Sequence, residues 1–177
     1  MVPIDERATH VRGGTMADAD GGDALALDNQ LCFSLYAASR ALTGLYRELL
    51  DDLGLTYPQY LVMLALWERG TLTVKELSQA LHLDSGTLSP LLRRLETAGL
   101  LTKERGTDDE RVVEVTATEE GMRLRARARG IPDRLLCAVD LPADRVRELK
   151  VVLDQITRSV EAAASGRAPI GSRTPRD

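Results

Sequence analysis

The sequence predicts a mainly α-helical fold with one small β-hairpin, in which the first and last helices stand outside a compact middle module. Three observations predict it. Apolar residues recur at three- and four-residue spacing over most of residues 28–164, the period that gathers them on one face of an α-helix. Residues 100–117 instead form β-compatible runs around a polar turn. The helices at the two ends each carry a long apolar seam.

The elements follow in order. Residues 1 to about 24 are rich in Gly, Asp and Ala without periodicity and read as a disordered leader, with Met16 an alternative start. Asp28 is the expected N-cap of the first helix. Leu31, Leu35, Ala38, Leu42, Leu45 and Leu49 then follow a 4-3-4-3-4 spacing, a heptad-like seam ending near Gly54. Tyr57-Pro58 opens a second helix, the proline suiting its first turn. Leu61, Leu64, Ala65 and Trp67 are its expected core positions, and Gly70 ends it. Thr73-Val-Lys-Glu76 fits a capping box, in which Thr and Glu satisfy each other's backbone donors, and a short helix runs on to Leu81. Asp84-Ser85-Gly86 breaks and caps the next helix, with Leu88, Leu91, Leu92 and Leu95 inward and Gly99 just past its end. Pro90, about one turn in, is unfavourable there unless that end is irregular. Leu100 to about Arg105 and Arg111 to Thr116 form the hairpin. Thr116-Ala-Thr-Glu119 reads as another capping box. Pro132 is expected to kink or break the helix it starts near Gly130. Pro142 starts the last helix, with Val146, Leu149, Leu153, Ile156 and Val160 at 3-4-3-4 spacing. Residues 165–177 read as a disordered basic tail through Arg167, Arg173 and Arg176.

Two short helices, a sharp polar turn, a third helix and a hairpin make a winged helix-turn-helix, here about residues 57–117. Its logic is DNA reading. Ser85, Thr87 and Ser89 can hydrogen-bond phosphates or base edges, and Gly86 allows close backbone approach. Arg93 and Arg94 follow one to two turns later. Arg105 and Arg111 at the hairpin suit a narrow minor groove, and Asp109 is placed to pair with and aim Arg111. A structural helix with solvated arginines is the bland alternative, and the acidic run 108–110 counts against simple electrostatics. The ordered combination outweighs both. The end helices, about 28–53 and 118–164, flank this module within a domain of residues 25–164. Two seams in those positions favour a homodimer reading a pseudo-palindromic operator of double-stranded DNA.

Composition narrows the alternatives. In 177 residues, 44% are hydrophobic and 28% charged, which fits one ordinary domain. The net charge of −4 gives no global basic surface, so nucleic-acid contact would rest on local patches. No apolar run approaches the roughly 20 residues of a membrane span, and the N-terminus lacks a signal-like apolar region. The expectation is a cytoplasmic protein with no membrane association. Two cysteines and two histidines make neither a disulfide scaffold nor a metal site. GxGxxG, P-loop, GxSxG and HExxH motifs are all missing. No metal, cofactor or enzymatic activity is expected.

Aromatic residues are few and lie between Phe33 and Trp67, around Cys32. A lone cysteine on a helix is more often a small buried hydrophobe. Near a helix N-terminus, however, the dipole favours thiolate, and Tyr36 lies at i+4 on the same face. Tyr46 lies 14 residues on, roughly 21 Å along the axis at 1.5 Å per residue, so it can meet only the Cys32 of a partner helix. Tyr57 is a further phenol within reach of such a cage. Ordinary packing remains an alternative for Tyr57 and Tyr60, and Cys137 could be a core thiol.

Residues 28 to about 162 resemble the MarR family of dimeric winged-helix regulators, through Asp109-x-Arg111-x4-Thr116 in the wing. LDNQLCFSLYAASR (27–40), LTYPQYLVMLALWE (55–68), LDSGTLSPLLRRLE (83–96) and DDER (108–111) resemble its OhrR subgroup, repressors that sense organic hydroperoxides. That resemblance implies Cys32 as the peroxidatic thiol and Tyr36 and Tyr46 as its hydrogen-bond partners. From the two-cysteine branch it implies Cys137 as the resolving thiol, with a low-molecular-weight thiol as reductant. Two other readings stand beside it: a regulator of this fold that answers to a small phenolic or aromatic ligand, and a thiol peroxidase.

Overall fold

The computed structural model describes residues 23, 25–106 and 111–166. The chain divides into two units, one ending at Glu48 and one beginning at Leu49. In the first, a 3-10 turn, Leu27–Asn29, leads into helix α1, Leu31–Leu49. Asp28 lies inside that turn and is not the N-cap. Gln30 takes the position instead, in extended conformation, its carbonyl accepting from Phe33 and Ser34 at 3.0 and 3.2 Å. Up to Glu48 no α1 residue is buried.

The second unit holds the packed core. Leu50 is fully buried, and a short 3-10 turn ends at Gly54 with φ 65°, a left-handed conformation that glycine adopts without strain. Helix α2, Tyr57–Arg69, begins where Gln59 Oε1 accepts from the backbone N–H and hydroxyl of Thr56 at 2.8 and 3.0 Å. Its buried residues include Tyr60, Val62, Met63, Ala65, Leu66 and Trp67, whereas Leu61 is half-buried and Leu64 exposed. Of the expected core positions, Ala65 and Trp67 are buried and Leu61 and Leu64 are not. The helix packs on neighbours from several sides, so one apolar face does not describe it.

Strand β1, Leu72–Thr73, precedes helix α3, Val74–Leu81. The expected capping box is present: Glu76 N–H donates to Thr73 Oγ1 at 3.1 Å and Thr73 N–H to Glu76 Oε2 at 2.8 Å. Helix α4, Ser85–Thr97, buries Leu88, Leu92 and Leu95 and half-buries Leu91. It runs unbroken through Pro90, so the helix carries the proline without an irregular end. A helix-interior proline costs about 3 kcal/mol, and the leucines buried on both sides of it hold the helix together.

Strands β2, Leu101–Arg105, and β3, Val113–Ala117, form the hairpin. The sheet order is β1-β3-β2, both pairs antiparallel. Because Ala117 pairs with Leu101, the strand claims Thr116, whose hydroxyl meets that of Thr71 at 2.8 Å. The cap of helix α5, Glu119–Ala128, is therefore Thr118 and not Thr116. Thr118 Oγ1 accepts from Gly121 N–H at 3.1 Å and donates to the Gly99 carbonyl at 2.6 Å. Trp67 Nε1 donates to the Gly121 carbonyl at 2.8 Å. Helices α6, Ile131–Val139, and α7, Ala143–Ala164, start after Gly130 and Pro142 as expected. No residue of α7 is buried.

Candidate DNA-reading face and thiol site

The face of α4 is organised by its cap. Asp84 Oδ1 accepts from Thr87 N–H at 2.8 Å, and Thr87 Oγ1 donates to Asp84 Oδ2 at 2.9 Å. These bonds, the Thr87 backbone first, hold the Asp84 carboxyl below its ordinary value. Ser89 Oγ donates to the Ser85 carbonyl at 2.7 Å. Thr87 and Ser89 thus commit their hydroxyl protons to the helix and offer oxygen lone pairs outward. Ser85, Gly86, Thr87, Ser89, Arg93 and Arg94 are all exposed.

Beside α4 lies a groove of about 990 Å³ between α3, α4 and the hairpin, lined by Lys75, Gln79, Ser85, Ser89, Lys103 and Arg111 among others. Lys103 Nζ sits 2.8 Å from Glu96 Oε2 and ties the hairpin to α4. Arg105 and Arg111 are exposed on the hairpin. Asp109 lies outside the described residues. Lys75, Gln79 and Lys103 went unnoticed in the sequence. Lys75 and Gln79 at i, i+4 on the polar side of α3 were a findable signal, but Lys103 joins them only through the fold.

Cys32 is exposed at the second position of α1, in its first turn. Unpaired backbone N–H groups concentrate there. Tyr36, one turn on, is exposed. Arg40 Nη1 donates to Tyr36 Oη at 3.5 Å, with its guanidinium 5.8 Å from the ring centroid. Cys32, Tyr36 and Arg40 therefore form one stripe. Tyr46 is half-buried on the same helix. Tyr57 starts α2, and burial raises its phenol above the ordinary value. Burial raises Tyr60 too, with Tyr57 adding to the effect, and its ring meets Trp67 edge-on at 6.1 Å. Tyr60 is a core residue. Cys137 is exposed on α6, and both thiols are free. Among the described residues no acidic, His or Cys group forms a metal cluster.

A crevice of about 350 Å³ opens beside α2, lined by Tyr60, Leu64, Trp67, Arg125, Arg129 and Pro132 among others.

Comparison with known proteins assigns the family. A family model described as transcriptional regulator SarA/Rot matches residues 44–127. The organic hydroperoxide resistance transcriptional regulator of Bacillus subtilis (strain 168) is 48% identical over 131 residues, 74% of this chain and 89% of the relative. The chain belongs to the MarR family of winged-helix transcriptional regulators, OhrR type. Among solved structures, this MarR-family chain is similar to reduced AbfR bound to DNA, with TM-score 0.64 and 35% identity over 76% of this chain and 93% of that one. It is also similar to the disulfide form of AbfR, with TM-score 0.55 and 33% identity over 78% and 92%; AbfR comes from Staphylococcus epidermidis. As a MarR-family member the chain is a DNA-binding transcriptional regulator and not an enzyme. Among the described residues no helix is long and apolar enough to cross a membrane.

Proposed function

We propose that this regulator is a repressor that senses organic hydroperoxides through Cys32 and releases its operator on oxidation. One observation carries the reading: an exposed thiol in the first turn of α1, with a phenol one turn on, in a chain 48% identical to a hydroperoxide resistance regulator. The Cys32 thiolate attacks the terminal peroxide oxygen, the O–O bond breaks, and the departing alkoxide takes a proton from water and leaves as the alcohol, giving Cys32 sulfenic acid. The Cys137 thiol then attacks that sulfur, forming an S–S bond and expelling water. A low-molecular-weight thiol reduces the disulfide by two exchange steps. Tyr36 and Tyr46, with Tyr57, supply O–H donors to the sulfur. The protein acts as a homodimer through α1 and α5–α7, within a domain of residues 25–164. Ser85, Gly86, Thr87, Ser89, Arg93 and Arg94 face the major groove. Arg105 and Arg111, aimed by Asp109, face the minor groove.

The deciding experiment titrates reduced and cumene-hydroperoxide-treated protein against a duplex selected from a random library. Wild type should lose affinity on oxidation, and Cys32→Ser should bind in both conditions. Cys137→Ser should oxidise at Cys32 without an inter-cysteine disulfide. Normal release by Cys32→Ser would overturn the thiol mechanism. Release by a non-oxidising aromatic acid, unaffected by Cys32→Ser, would favour the second reading, in which the acid binds in the crevice with Tyr60 and Trp67 facing its ring and Arg125 and Arg129 its carboxylate.

A further inference from the structure

Pro90 is a residue that neither the fold nor the proposed switch requires. Gly86, Pro90, Arg93 and Thr97 follow a 4-3-4 spacing, which at 100° per residue makes one stripe. Its members are exposed, and it lies opposite the buried Leu88, Leu92 and Leu95. Pro90 is thus at the centre of the outward face of α4, where this module meets DNA.

The consequence is in the backbone. Proline has no N–H, so the i→i−4 bond that would end on the Gly86 carbonyl cannot form. The neighbouring carbonyls are served differently. Asp84 O accepts from Leu88 N–H at 3.0 Å, and Ser85 O accepts the Ser89 hydroxyl at 2.7 Å. The proline ring also crowds the i−4 carbonyl, and solvent-side carbonyls lean outward in helices. Residue 86 has no side chain to cover the oxygen. A Cβ there would lie 3.0 Å from Asp84 Oδ1, so the cap alone favours a small residue at 86. The cap does not account for Pro90.

We propose that Gly86 and Pro90 act as a pair that reads a base. The Gly86 carbonyl, denied its helical donor, accepts from an exocyclic amine in the major groove. Two bases offer one there: adenine through N6 and cytosine through N4. Arg93 and Arg94 can only donate, so they cannot read this group. The acceptor complements them and turns a helix defect into a specificity determinant. The inference rests on α4 being the reading helix and is independent of the thiol chemistry.

The test is selection of binding sites from a randomised duplex library by reduced wild type, Pro90→Ala and Pro90→Val. Both variants restore the N–H and satisfy the Gly86 carbonyl, and both favour the helix, so folding is not at risk. Wild type should show one base pair per half-site with a preference for adenine or cytosine on one strand. Both variants should lose about tenfold of that preference, the scale of one good base contact. Unaltered selection by both variants would overturn the proposal. So would a Pro90→Val variant that keeps the wild-type preference while Pro90→Ala loses it, because the apolar surface, not the carbonyl, would then be reading. A parallel Arg93→Ala, Arg94→Ala double variant separates the premise from the inference. If it leaves affinity for all duplexes unchanged, α4 does not face DNA, and the proposal falls with that placement. If it weakens binding while Pro90→Ala changes nothing, the Gly86 reading alone is wrong.

Discussion

Leu77, Leu88, Leu92 and Leu95 of the reading module are at most 2% exposed, whereas Leu42 of α1 and Leu149 of α7 are 39% and 48% exposed. Both sets obey helical spacing, and both are leucine on otherwise polar helices. The module closes because α2, α3, α4 and the sheet pack together and α5 covers α2 and the hairpin. The end helices carry the same pattern, and among the described residues none of α7, and none of α1 before Leu49, is buried. A helix period in the sequence therefore reports a face that wants burial, not what buries it.

The largest effect should come from testing that difference directly. Leu92→Ala should destabilise by about 2–5 kcal/mol through lost transfer energy and a residual cavity, lowering the melting temperature equally at all protein concentrations. Leu149→Ala should instead weaken self-association, so its melting temperature should fall most at low concentration. Calorimetry and sedimentation over a concentration series would check both. A concentration-independent loss in Leu149→Ala equal to that in Leu92→Ala would break the comparison.

A second, somewhat smaller effect lies where the module is tightest. At Gly121 an added Cβ would sit 2.1 Å from the Leu100 carbonyl oxygen, and the same glycine's carbonyl accepts from the buried Trp67 indole. Backbone, not a flexible side chain, would have to give way. Gly121→Ala should therefore cost about 1–3 kcal/mol, as overpacked cores do, despite alanine's better helix propensity. Urea unfolding measures it, and a neutral or stabilised variant would mean that α5 can slide from the hairpin at little cost.

The same contrast explains how much could be read beforehand. The Thr73–Glu76 box and the Asp84 cap were legible because their partners are three residues away. Thr116 and Thr118 look alike locally, and only the pairing of Ala117 with Leu101 decides between them. Asp28 suited a cap, but the preceding 3-10 turn moved the helix start to Leu31. Pro90 obeyed a local rule that the buried leucines overrode. On α1 the spacing of Cys32 and Tyr36 was visible, whereas the Arg40 contact with Tyr36 needed side-chain geometry. Lys75 and Lys103 are 28 positions apart and share a groove only after folding.

The smallest effect is one of pH, and it too separates the module from the end helices. Asp84 and Glu76 both have carboxyls held below their ordinary values by the backbone and hydroxyl groups they cap, Asp84 through Thr87 and Glu76 through Thr73. A depressed folded-state pKa means that the unfolded chain takes up a proton first as acid is added. The stability these caps contribute is fully present above the ordinary carboxylate range, about pH 4. It is lost as the pH falls through the lowered folded values. Asp84→Asn keeps an oxygen acceptor for Thr87 N–H but cannot ionise. The melting temperature of wild type should exceed that of Asp84→Asn at pH 6, and the gap should close as the pH drops well below the ordinary aspartate value. A gap constant across that range would mean that the Asp84 charge contributes nothing and that the cap works through hydrogen-bond geometry alone. Asp154 on α7 is also held low, chiefly by the hydrogen bond from Lys150. That exposed pair lies within a single helix and caps nothing, so Asp154→Asn should leave the acid profile of the reading module unchanged.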